Sequence, residues 1–124
     1  MKQVLATDQA PAAIGPYSQG IAAGETVYVS GQLPLDPATG AFPEGIAAQT
    51  AQSLKNIQAI LAQQGMTLAN VVKTTAFLAD INDFAEMNKV YGEFFTQPYP
   101  ARSAVQVAKL PKDAPLENEC IAVK

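Results

Sequence analysis

Val71-Val72-Lys73-Thr74-Thr75-Ala76-Phe77-Leu78, then a helix-patterned stretch, then Pro98-Tyr99-Pro100-Ala101-Arg102-Ser103-Ala104-Val105: this run decides the fold. The first segment is rich in β-branched residues and reads as a strand. The middle stretch begins a helix near Asn82 or Asp83. Phe84, Met87, Tyr91 and Phe94 line its buried face, and Val90 and Phe95 widen it. Asp83 with Glu86 three residues on predicts a capping box at its start. In the third segment two prolines stiffen the approach, and Val105 and Val107 alternate as in a strand. Arg102 therefore lies near a strand start, where a rigid sheet would hold it. It is the only arginine in the chain. A guanidinium grips a carboxylate through two parallel hydrogen bonds, which an ammonium cannot do. Its local pattern also suits a plain surface arginine beside a turn.

Outward from this core, residues 3–6 read as a short strand, followed by a stiff loop, Ala10-Pro11-Ala12-Ala13-Ile14-Gly15-Pro16-Tyr17-Ser18-Gln19. Ser18 to Ala22 and Val27 to Leu33 are further strands, with Gly31 marking a bulge or a close backbone approach. Pro34 to Gly45 is a surface loop. A long helix runs from Ile46 to Gln64 with Ala47, Ala51, Leu54, Ile57 and Leu61 on its apolar face, and Gly65 ends it in a left-handed conformation. Leu116 to Val123 is the closing strand. The order strands, helix, strand, helix, two strands predicts an α+β fold: one domain spanning 1–124, with a single mixed sheet of about six strands and two helices packed on one face.

Composition narrows the chemistry. Apolar residues make up 48% of the chain and charged residues 15%, which suits a globular domain and leaves weakly charged surface for contact with further copies. The net charge is −3 and the lysines are scattered, which disfavours nucleic acid as a partner. No run approaches the roughly 18 apolar residues of a membrane span, and the N-terminus lacks a secretory pattern, so a soluble cytoplasmic protein is expected. There is one cysteine, Cys120, and no histidine. That argues against metal chemistry and against Ser-His-Asp hydrolysis. Carboxylates, tyrosines, hydroxyls, backbone groups, Arg102 and water remain.

Strand alternation places Arg102 and Ala104 on one face, and Glu117, Glu119 and Ile121 together on one face of the last strand. Glu119 precedes an apolar run and is expected beside buried surface, where its pKa would rise; Glu117 suits a sheet rim better. Tyr17, in the stiff Gly15-Pro16-Tyr17 turn, offers a phenol and a ring or is plain core filler. The Ser30 hydroxyl is half-buried or satisfies a local backbone group. Asn88 flanks the buried face of the second helix.

The strings Ala10 to Gln19, Ser30-Gly31-Gln32-Leu33-Pro34, Val72-Lys73-Thr74-Thr75, Pro100-Ala101-Arg102-Ser103 and Lys109-Leu110-Pro111-Lys112-Asp113 occur in this order and at the expected spacing. Together they resemble the Rid/YjgF family of reactive-intermediate imine and enamine deaminases over nearly the whole chain. The resemblance implies a chorismate-mutase-like fold and a homotrimer around a central barrel, with clefts between subunits. It implies hydrolysis of 2-aminoacrylate and 2-iminobutyrate to 2-oxo acids and ammonia, with no cofactor or metal. By the same resemblance Arg102 binds the substrate carboxylate and Glu119 holds the attacking water. Tyr17, Ser30, Gly31, Asn88 and Ala104 match positions lining the cleft. Many relatives carry cysteine where this chain has Ala104, and the segment from Phe95 to Pro100 is shorter than in some. An imine carbon is already electrophilic, so water needs no thiol, and Ala104 is expected to change cleft size or oxidation sensitivity. A non-catalytic carboxylate-binding regulatory trimer is the alternative, and a ribonuclease is disfavoured by charge and the absent histidine.

Overall fold

A computed structural model describes all 124 residues. Six strands form one sheet in the order β1-β2-β3-β6-β4-β5. They are β1 (Lys2–Leu5), β2 (Gly20–Ala23), β3 (Thr26–Gln32), β4 (Val71–Leu78), β5 (Ala101–Gln106) and β6 (Leu116–Val123), with helices α1 (Ile46–Ala62) and α2 (Phe84–Phe94). All pairings are antiparallel except β4 with β5, which α2 joins by a crossover. The mixed α+β architecture expected from the sequence is the one found.

Alternation along the strands sorts the side chains into two faces. Cross-strand partners Leu5, Gly20, Val29, Cys120, Thr74 and Arg102 form one continuous row across all six strands. The first five are buried, so this row faces the helices. Gly20 is a glycine because a Cβ there would lie 2.8 Å from Ile60 Cγ2 on α1. The neighbouring row on the opposite face runs through Val4, Ile21, Tyr28, Ile121 and Lys73. No element covers it, and Val4 and Tyr28 remain 62% and 51% exposed.

Helix α1 departs from the expected apolar stripe. Ala47 is exposed, while Thr50, Ser53 and Asn56 are fully buried beside Leu54, Ile57, Ile60 and Leu61. The backbone after β3 explains this. Ser53 Oγ donates to Gln32 O at 2.7 Å, and Asn56 Nδ2 donates to Leu33 O and Leu35 O at 3.0 and 2.9 Å. Buried carbonyls leaving a strand need donors, so polar side chains replace apolar ones there. Gly65 does end the helix segment in the left-handed region, at φ +68°.

The capping box at Asp83 and Glu86 does not form, since Asp83 makes no side-chain cap. Asp80 Oδ1 instead accepts from Asn82 N at 2.9 Å, starting a single 3₁₀ turn that runs straight into α2. The cap thus falls where the chain leaves β4.

Gln19 fastens the stiff N-terminal loop. It is 4% exposed; its Oε1 accepts from Thr7 N at 2.7 Å, and Nε2 donates to the carbonyls of Thr7, Ala10 and Pro11. Gln19→Ala is expected to lower unfolding free energy by about 2 kcal/mol or more, read from urea denaturation, because buried backbone groups lose their partners. An unchanged denaturation midpoint would show that the loop holds itself.

Candidate functional site

The sequence-selected residues form two groups. The first lies on the uncovered face of the sheet. Ser30 and Glu119 border a cavity of about 620 Å³ with Tyr17, Ser18, Lys73 and Thr75. Ser30 Oγ donates to Ser18 O at 2.6 Å and Ser30 N to Gln19 O at 2.9 Å, so β3 holds the Tyr17 loop in place. Ser30 is half-buried at the cavity border, and its hydroxyl satisfies a backbone carbonyl. Tyr17 is 53% exposed and is not core filler.

Register between β3 and β6 shifts between Val29 and Gln32, so Ser30 and Gly31 sit in an irregular stretch. A Cβ on Gly31 would stand 2.6 Å from Glu117 Cδ and Oε1. The Glu117 carboxylate thus lies against the Gly31 backbone and would have to move aside for any larger residue there.

The two carboxylates exchange the environments expected of them. Glu119 is exposed, whereas Glu117 is half-buried. Burial, and secondarily the Glu119 charge, raise the Glu117 carboxyl above its ordinary value. The run after Glu119 misleads because Cys120 and Ala122 point to the helix face, away from it. Burial and the Glu119 charge push the Cys120 thiol up to about 12, leaving it protonated and unreactive.

The second group lies at the β5 edge, on the helix side. Arg102 Nη1 donates to Asn88 Oδ1 at 2.7 Å. The guanidinium carbon stands 4.7 Å from the Tyr91 ring centre and 5.4 Å from that of Phe84. Ala104, two residues on, shares this face and packs against the core. Arg102 is thus no loose surface arginine. Sequence reasoning placed Phe84 and Tyr91 on a buried helix face and missed their contact with Arg102. The signal available was their spacing: residues 84, 88 and 91 fall on one stripe of a helix.

The two groups do not meet within one chain. Arg102 pairs with Thr74 and Cys120 in the helix-facing row, whereas Glu119 pairs with Thr75 and Ser103 in the uncovered one. The sheet itself separates the cation from the carboxylate.

Residues 7–124 match the family described as endoribonuclease L-PSP. A 2-iminobutanoate/2-iminopropanoate deaminase of Salmonella typhimurium is 51% identical, covering 100% of this chain and 99% of the relative. The chain belongs to the Rid/YjgF family. Among solved Rid/YjgF structures, the E. coli YjgF gene product is 50% identical with a TM-score of 0.94, covering 98% of each chain. E. coli TdcF, crystallised with bound serine, is 46% identical with the same coverage and a TM-score of 0.94. No helix here is long and apolar enough to cross a membrane.

Folding raises the Glu117 carboxyl, so the native chain holds that proton more tightly than the unfolded one. This stabilisation is complete below the ordinary value of 4.5 and is lost as pH rises through the raised one. Glu117→Gln is therefore expected to raise the urea midpoint near pH 7 and leave it unchanged at about pH 3.5. An equal shift at both pH values would contradict the assignment.

Proposed function

We propose that this chain hydrolyses small 2-imino acids, and 2-enamino acids through their imine tautomers, to 2-oxo acids and ammonia, in clefts formed between identical subunits. One observation carries the intersubunit part: Arg102 and Glu119 are each presented outward, but on opposite faces of one sheet. A ligand of a few atoms reaches both only if they come from different copies. The uncovered, largely apolar sheet face supports such self-association, and a homotrimer is the assembly we propose. The relatives named as 2-iminobutanoate/2-iminopropanoate deaminases support the reaction.

The chemistry follows from the groups present. Arg102 binds the substrate carboxylate through two of its N–H donors and sets the imine carbon in place. Glu119 of the neighbouring copy accepts a hydrogen bond from water and takes its proton as the oxygen attacks that carbon. The C=N π pair moves to nitrogen, which takes up the proton that Glu119 removed from the water, giving a carbinolamine and returning Glu119 to its carboxylate. Proton transfer from the hydroxyl to nitrogen then breaks the C–N bond; ammonia leaves and the C=O bond forms. Tyr17, Ser30 and the Gly31 backbone line the cavity side, and Ala104 leaves room beside Arg102. Positioning of this kind contributes several powers of ten in rate without any covalent intermediate. The family description as an endoribonuclease finds less support: the chain is acidic and has no histidine to serve as the usual acid–base group.

Arg102→Lys is expected to lose activity about hundredfold or more, because the charge stays but the fork is lost. Release of 2-oxobutanoate in a coupled assay with a threonine dehydratase reads this out, and equal turnover by the lysine variant would contradict it. Co-expression of Arg102→Ala and Glu119→Gln chains, each inactive alone, tests the shared cleft. Random assortment restores about a quarter of wild-type activity if the two groups come from different copies. No restoration in verified mixed oligomers would place both in one chain.

A further inference from the structure

The geometry points to a role for α2 that deepens the proposed carboxylate grip and rests on it: Tyr91, assisted by Phe84, is the positioning residue that fixes the plane of the Arg102 guanidinium. An arginine side chain is long and rotamer-rich, and on an edge strand it would ordinarily sweep through solvent. Here three residues on one stripe of α2 take hold of it. Two aromatic rings lie at 4.7 and 5.4 Å from the guanidinium carbon, and Asn88 accepts one N–H at 2.7 Å. Of five donors, four remain for a ligand.

The ring that lies nearer is itself pinned. Tyr91 Oη and Thr74 Oγ1 share a buried hydrogen bond of 2.7 Å, and Thr74 is the residue directly opposite Arg102 across β4 and β5. Tyr91 also stacks on Phe95 with ring centres 4.5 Å apart. The chain of contact thus runs from the β4 backbone through Thr74 and Tyr91 back to the side chain of the adjacent strand. Burial raises the Tyr91 phenol, opposed in part by the Thr74 hydrogen bond and the Arg102 charge, so the ring stays neutral near pH 7. A lysine at 102 has no flat face to lay on these rings, a second reason for the arginine.

Titrating 2-oxobutanoate, the stable product, into the intact oligomer by calorimetry tests this, with circular dichroism confirming the fold of each variant. Tyr91→Leu is expected to weaken binding about tenfold and Phe84→Leu about threefold, while Tyr91→Phe, which keeps the ring but loses its hydrogen bond to Thr74, weakens it less than Tyr91→Leu. In an Arg102→Lys background the Tyr91→Leu and Phe84→Leu losses are expected to shrink, because the residues act through the guanidinium. Wild-type affinity in folded Tyr91→Leu and Phe84→Leu, or equal losses in both backgrounds, would overturn the inference. Should Tyr91→Leu fail to fold, Phe84→Leu in the two backgrounds decides. Undiminished affinity in Arg102→Lys alone would instead remove the carboxylate grip on which the inference rests.

Discussion

Everything at the site depends on the alternation of side chains in a sheet covered on one side only. Because neighbours along a strand point to opposite faces, one row of cross-strand partners, from Leu5 to Arg102, faces the helices. Five of its members are core. The sixth lies on β5, at the rim, where α2 covers it with aromatic rings but does not bury it. Glu119 is set in the adjacent row by the same rule and faces the other way. In the function we propose, a single copy is an incomplete site, and its bare face is the surface on which a second copy completes it.

The buried polar groups serve this arrangement. Ser53 and Asn56 take the backbone carbonyls just past β3, and Asn118 Nδ2 donates to Ser53 Oγ at 3.1 Å. These bonds hold β3 at the point where its register with β6 breaks, beside Ser30 and Gly31. Gln19 and Ser30 then fix the loop that carries Tyr17. The cavity side of the site is thus built from backbone satisfied by buried amides and hydroxyls, and the cation side from aromatic packing. The first is specified by hydrogen bonding, the second by the shape of one helix stripe.

How much of this was legible in the sequence varies by element. Strand β4 is readable from its β-branched run and the closing strand β6 from the turn residues Pro111 to Pro115 before it, and Gly65 announces the end of the first helix. The buried face of α1 was misjudged at Ala47, since periodicity counts apolar residues and cannot know that carbonyls after β3 require Ser53 and Asn56. The Asp83 cap was displaced to Asp80 by a 3₁₀ turn that no spacing rule signals. Glu117 and Glu119 exchange environments because Glu117 lies against the Gly31 backbone whereas Glu119 borders the open cavity on the uncovered face. The family strings contain Tyr17, Ser30 and Arg102, and the resemblance they carry points to Asn88 and Glu119; only the register reveals that a sheet stands between Arg102 and Glu119.

In the proposed site one copy supplies the cation and another the carboxylate to a single ligand. The most direct measurement is a crystal structure of the assembled protein with 2-oxobutanoate bound. The ligand carboxylate is expected on the Arg102 guanidinium of one subunit, with the carbonyl carbon facing the Glu119 side chain of its neighbour. A ligand held by groups of one subunit alone, or bound away from Arg102, would contradict it.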